Sequence, residues 1–255
     1  RSYSVTGVQT CALPIYKHVI VEKPIATTLE EADEMLKVAN NSQGKLVQCY
    51  PCRYHPTSQT IKKMFDSNAF GSVLAISATN HGRMPPHSGV DEWFSTKSLA
   101  GGGALMDHIT HVADLIFWFT GSKIKSIYAT AANLFHPELD IDDAGMVLLE
   151  YENGMKVSID PSWSRPSNFA TWGDVTMTIM GTEKTLTLDM FAQYIDIQRN
   201  SDTHPLWLNY GSDMDALMLR DFINHLKENA QLMLSGLDGR KALEVVIAEI
   251  GRAHV

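Results

Sequence analysis

The sequence predicts two units in series: a short α/β unit, then an α+β domain built on a large, mainly antiparallel sheet. Three observations carry this. A strand–helix–strand run lies between Val19 and Tyr50, the order of a doubly wound α/β fold. Strand-like segments then follow one another from Lys123 to Gln198. Helical segments flank that run, so the second unit mixes helices with a sheet instead of alternating them. The boundaries expected are 16–52 for the α/β remnant and 53–248 for the α+β domain.

The elements follow in order. Val19 to Val21 is an apolar strand. Thr28 to Ala39 is an amphipathic helix with Thr27 or Thr28 as cap and acidic residues in its first turn. Gly44 ends it, and Lys45 to Tyr50 is the next strand. Pro56 to Phe65 reads as helix, and Ser72 to Thr79 alternates as a strand. Gly101-Gly102-Gly103 opens a helix that runs to about Phe119. Strands are expected at 124–130, 144–151, 155–159, 175–180, 185–188 and 194–198, with Asn153-Gly154 as a hairpin turn. Helices near 215–228 and 239–248 close the chain.

The two ends read as foreign. Residues 5–15 and 250–255 can be encoded by opposite strands of one sequencing-library adapter, so 1–15 and 249–255 are expected to be artefactual. A signal peptide fits the start poorly, because the apolar run is broken by Thr10 and Pro14. The chain has 255 residues, is 44% hydrophobic and carries a net charge of −8. That balance argues against non-specific nucleic-acid binding, and no apolar run is long enough to span a bilayer. A cytoplasmic protein without nucleic-acid or membrane partners is expected. Cys49 and Cys52 form Cys-x-x-Cys without a second pair, which reads as two thiols in a reducing cytosol rather than a metal or redox site.

Two stretches carry chemistry. His18-Val19-Ile20-Val21-Glu22-Lys23-Pro24 delivers a carboxylate and an amine at the end of a strand, stopped by proline. The helix opened by the glycines carries Asp107 and His111 four apart, on one face, with Asp114 three further on. A histidine oriented by a carboxylate suits proton transfer. Together, Glu-Lys-Pro followed by Gly-Gly-Gly-x-Leu-x-Asp-x-x-x-His-x-x-Asp resembles the Gfo/Idh/MocA family of NAD(P)-dependent oxidoreductases, from about Tyr16 to about Ala248. The resemblance makes the α/β unit the C-terminal remnant of a Rossmann dinucleotide-binding domain. No Gly-x-Gly-x-x-Gly occurs, and roughly 100 residues of preceding βαβ units are expected before Tyr16.

What the resemblance implies is specific. The parent is an NAD- or NADP-dependent dehydrogenase acting on a secondary alcohol of a sugar, polyol or related small molecule. Lys23, Asp107 and His111 take the catalytic positions: Lys23 polarises the hydroxyl, His111 is the general base, and Asp107 contacts substrate and supports the charged imidazole. Glu22, Lys23, Pro24 and Trp93 lie toward the cofactor. Arg53, Asn80 and Lys97 join Asp107 and His111 as substrate-side groups. The sheet carries an open face that packs on a partner subunit, implying a homodimer or homotetramer.

Other readings are weighed beside this one. Ile109 stands where many members carry glycine, which changes packing or narrows the approach to substrate. Asp114 reads as a structural contact inside the domain, and His108 as a bystander or a substrate-proximal group. Asp107, His108, His111 and Asp114, with His81 and His87, do not have the spacing of a metal site, so none is expected. Asp142-Asp143 and Ser162-Trp163 match the family more softly, and turn chemistry and core packing account for them; the alternative for Trp163 and Trp172 is that they line a sugar face. A catalytically silent binding or regulatory member of the same fold, or an inert product unable to bind cofactor, is the alternative.

Overall fold

The computed structural model describes residues 17–86, 89–201, 206–228 and 231–250. The stretches 1–15 and 251–255 that read as adapter lie outside them, and so does His87.

The α/β unit forms as the sequence indicates. Strand β1 (Val19–Val21) pairs in parallel with β2 (Leu46–Gln48), Val19 facing Leu46 and Val21 facing Gln48. Helix α1 (Leu29–Asn40) connects them. Thr28 caps it, its side chain accepting from the Glu31 N–H, and Glu30 and Glu31 favour the positive end of the helix dipole. Ala32 and Met35 are its buried face. A 3-10 turn (Pro51–Tyr54) leads into helix α2 (Pro56–Asp66), whose start places Pro56 where its missing N–H costs nothing.

The second unit is a six-stranded sheet of β3 (Val73–Arg83), β4 (Ile124–Ala132), β5 (Ala144–Tyr151), β6 (Lys156–Arg165), β7 (Thr176–Gly181) and β8 (Thr185–Asp189). Its order is β4-β5-β6-β3-β7-β8. All neighbours are antiparallel except the central pair β3 and β6. That pair is the long-range join: β6 returns beside β3 after the intervening helices and strands β4 and β5. Asn153-Gly154 makes the β5–β6 turn, with Gly154 at φ +86°. β3 and β6 run four and six residues beyond their expected ends at Thr79 and Ile159. There the alternation is broken by polar residues that the site uses.

A four-residue helix α3 (Lys97–Ala100) precedes the long helix α4 (Ala104–Thr120). α4 lies across one face of the sheet. Leu105, Ile109, Val112, Ala113 and Ile116 interlock with Ile76, Ala78, Val147, Val157 and Ile159 in the main core. Ile109 is therefore a core residue, and its departure from the family pattern is absorbed by packing. The N-terminus of α4 is held by Asp142, whose carboxylate accepts from Gly103 N–H (3.0 Å) and Leu105 N–H (2.8 Å) while its carbonyl accepts from Ala104 N–H (2.9 Å). The approach is so close that a Cβ on Gly103 would sit 1.8 Å from the Asp142 carbonyl oxygen. The other sheet face is bare, with Tyr128, Met146 and Leu148 exposed by 59%, 42% and 48%.

Strand β9 (Tyr194–Ile197) does not join this sheet. It pairs antiparallel with β10 (Leu206–Asn209), a strand the sequence reading did not include, in a separate two-stranded sheet. Helices α5 (Met214–Glu228) and α6 (Gly236–Ile250) return the chain to its start. α6 packs against α4, α1 and β2, so one core runs through both units.

Candidate active site

The site forms where β1 ends against the first turn of α4. β1 stops at Val21, and the next residues are Glu22, Lys23 and Pro24, the last joined by a cis peptide bond. Glu22 is exposed; Lys23 and Pro24 are half-buried. The Lys23 ammonium bonds to Asp107 twice, to its carboxylate Oδ1 and to its carbonyl oxygen (3.1 Å). This ion pair ties two segments 84 residues apart.

Asp107 is the hub. Its second oxygen, Oδ2, takes the indole N–H of Trp163 (3.0 Å) and faces Nε2 of His108 (3.1 Å). Burial opposes the charge on this carboxylate, but Lys23 and His108 outweigh it and hold Asp107 well below the ordinary carboxylate range. His111 stands one turn further along α4. Burial, reinforced by the Lys23 ammonium, pushes its imidazole down to about 3, against the pull of Asp107. Its Nδ1 is buried without a partner, which leaves Nε2 as the ring nitrogen open to a ligand. The Tyr50 ring meets it edge-on with centroids 6.1 Å apart.

Of the residues singled out from sequence, the structure brings together Lys23, Asp107 and His111. Asn80 joins them indirectly: its carbonyl faces His108 Nδ1 (2.6 Å), its amide nitrogen donates to the Asp174 carbonyl, and its Oδ1 is buried and unpaired. Trp93 stacks on Phe94 at 3.8 Å, and it is Phe94 whose ring faces the Lys23 ammonium, 5.7 Å from its centroid. Lys97 is exposed at the first position of α3.

Arg53 is the correction. It was expected on the substrate side, but its guanidinium is buried and spoken for. It grips Asp114 with two bonds (2.8 and 2.6 Å), Asp238 Oδ1 at 2.9 Å and the Met233 carbonyl at 3.2 Å. It thus clamps α4 to the start of α6, and a guanidinium so engaged has no fork left for a ligand. Asp114 is structural, as its reading suggested; burial pushes its carboxyl up to about 6 against the pull of Arg53.

His108 and Trp163 are the site residues that the sequence reading does not place in the catalytic set: it gives His108 as a bystander or a substrate-proximal group, and Trp163 as core or as the lining of a sugar face. A histidine directly after the motif aspartate was the available signal. Cys49 and Cys52 are buried free thiols, both pushed up to about 12 chiefly by burial, which makes them unreactive. His81 pairs with Asp160 (3.1 Å) and Asp174 (3.6 Å). Among the described residues no group of three or more His, Cys, Asp or Glu is placed to hold a metal, and no helix is long and apolar enough to cross a membrane.

Comparison with known proteins gives the family and the fold. The family model described as the GFO/IDH/MocA C-terminal domain matches residues 58–187, and that described as an oxidoreductase family, NAD-binding Rossmann fold, matches residues 8–50. The uncharacterized oxidoreductase YrbE of Bacillus subtilis (strain 168) is 25% identical over 236 residues, covering 89% of this chain. The chain spans only 66% of that protein's length. Inositol 2-dehydrogenase of Rhizobium meliloti (strain 1021) is 26% identical over 246 residues, 92% of this chain and 70% of that one. Among solved structures, GenD2 from gentamicin A biosynthesis, in complex with NAD, superposes with a TM-score of 0.86 at 21% identity, over 97% of this chain and 72% of that one.

Proposed function

Because this chain belongs to the Gfo/Idh/MocA oxidoreductase family, we propose that its parent protein is an NAD(P)-dependent dehydrogenase of a sugar, polyol or related secondary alcohol. One observation carries the reading: the ion pair that sets the Lys23 ammonium at the carboxyl end of β1, on the first turn of α4, beside a neutral His111. Open α/β sheets bind their ligands outside the carboxyl ends of their strands. Glu22, Lys23, Pro24 and the Trp93–Phe94 pair stand there and would hold the nicotinamide end of the cofactor. With Nδ1 of His111 buried, Nε2 is the ring nitrogen left to meet a substrate hydroxyl.

A bound nicotinamide supplies the acceptor for the two electrons and hydrogen that leave the substrate carbon. Lys23 donates a hydrogen bond to the substrate hydroxyl and stabilises the charge that grows on that oxygen. His111, neutral at working pH, accepts the hydroxyl proton at Nε2 and returns it in the reduction direction. Asp107 keeps Lys23 in place and offsets the positive charge that then appears on His111. Three protein groups, Lys23, Trp163 and His108, already surround the Asp107 oxygens.

Three further parts belong with it. The bare sheet face of Tyr128, Met146 and Leu148 is a surface for a second copy of the chain, giving a homodimer or homotetramer. Free Cys49 and Cys52 suit a reducing compartment, which supports a cytoplasmic location. Asn80 and Lys97 are retained as substrate-side groups.

The test is turnover of NAD and NADP by the full-length protein across a panel of polyols and sugars. With the reactive substrate, Lys23→Met and His111→Asn should each lower kcat by about 100-fold or more. A loss below about tenfold in His111→Asn would remove it as the base.

A further inference from the structure

His111 lacks the partner that usually orients a histidine base. Such a base is held by an acceptor at its non-reacting ring nitrogen, which fixes the plane of the ring and its tautomer. Here Nδ1 is buried, and among the described residues no carboxylate or carbonyl bonds to it. Asp107 is one turn away, but its oxygens go to Lys23, Trp163 and His108. Orientation of this ring therefore falls to packing.

The ring in contact with it is Tyr50. Tyr50 is 1% exposed and lies two residues past the carboxyl end of β2, where its carbonyl accepts from the Arg53 N–H (3.3 Å) and opens the 3-10 turn. It belongs to a buried cluster with Val47, Tyr54, Met218, Leu234 and Ala242. The turn is bolted to α4 at the level of the base: Arg53, three residues after Tyr50, grips Asp114, three residues after His111. With the turn so fixed, the Tyr50 ring stands 6.1 Å from the imidazole, centre to centre, with 71° between their planes. That is an edge-to-face arrangement of the kind aromatic pairs prefer. The Tyr50 hydroxyl takes no part, since it lies beside Thr110 without a hydrogen bond of standard geometry.

We propose that Tyr50 is a positioning residue: its ring sets the plane of the His111 imidazole and shields its buried side from water, in place of the missing acceptor. The proposal rests on the dehydrogenase reading for its effect on turnover, but not for its effect on His111 itself. Burial is the largest cause that brings His111 down to about 3. The charged and titratable groups that face His111 are Lys23 from the end of β1 and Asp107 and His108 from α4. A change at Tyr50 leaves all three in place. Tyr50 adds no charge of its own, because burial pushes its phenol well above the ordinary value. Without the ring, the imidazole is free to turn and water reaches it. The base is then both misplaced and easier to protonate.

The experiment compares Tyr50→Phe with two ringless variants, Tyr50→Leu and Tyr50→Met, in the full-length protein, each checked for folding by circular dichroism. Phenylalanine keeps the ring and should restore the wild-type kcat and pH profile. The ringless variants should lower kcat by about tenfold or more, with KM changed by less than about threefold. The acid limb of their kcat/KM profile should rise by about one pH unit. NMR titration of the histidine rings gives a readout free of turnover. The His111 signal, assigned by its loss in His111→Asn, should titrate higher in the ringless variants than in wild type. A folded ringless variant whose His111 titrates as in wild type would overturn the proposal, and so would one with wild-type kcat. A loss in Tyr50→Phe as large as in Tyr50→Leu would overturn it as well and assign the hydroxyl instead. Absence of turnover in wild type would sink the dehydrogenase reading, and the NMR comparison would still decide the role of Tyr50.

Discussion

Replacing His111 by asparagine removes a group that is neutral when folded and basic when unfolded. In the unfolded chain this imidazole titrates near about 6.5. In the fold, burial and the Lys23 ammonium bring it down to about 3. A folded pKa below the unfolded one contributes stability that is present above about pH 6.5 and is lost as pH falls toward 3. Integrated from pH 7 to pH 5, the loss is about 2 kcal/mol. Other groups also titrate there. Asp114, raised to about 6, acts with the opposite sign: its contribution is present below its unfolded value and fades as pH rises through 6. Asp107, held low, changes only below this window. These contributions are common to wild type and variant and cancel in the comparison. Urea unfolding of both proteins at pH 7 and pH 5 measures the difference. The wild type should lose about 2 kcal/mol more than His111→Asn over that interval. Equal losses would mean that His111 titrates normally in the fold, and the reading of it as a neutral, poised base would fall.

Three other perturbations test other parts of the structure. Arg53→Met strands the buried Asp114 and the partly buried Asp238, and should cost about 3–5 kcal/mol in urea unfolding; adding Asp114→Asn should recover part of that. A substrate-side Arg53 would instead show in KM, with stability unchanged. Gly103→Ala forces a methyl group to within 1.8 Å of the Asp142 carbonyl oxygen, and should destabilise by more than about 2 kcal/mol in a thermal melt; a melt matching wild type would show that the start of α4 gives way easily. Leu148→Glu puts a charge opposite Tyr128 on the bare sheet face, and should convert the proposed oligomer to monomer in sedimentation velocity, with circular dichroism unchanged. An unaltered mass would place the subunit contact elsewhere.

Much of the fold and part of the site can be read from the chain alone, because they depend on neighbours in sequence. The apolar run Val19–Val21, the helical periodicity of Leu29–Asn40 and Ala104–Thr120, the cap at Thr28 and the turn at Asn153-Gly154 are local choices, and each forms where the residues require it. The spacing of Asp107 and His111 likewise sets both on one stretch of helix. The rest needed contacts between distant segments. Arg53 reads as a substrate-side arginine until Asp114, Asp238 and Met233 converge on it from 61 to 185 residues away. His108 reads as a bystander until β3 brings a glycine and a carbonyl against its ring. Trp163 reads as core until its one donor meets Asp107. A hydrogen bond has direction as well as reach. The sequence by itself determined which residues could donate or accept; only the tertiary structure decided which of them meet, and so which charges the site keeps.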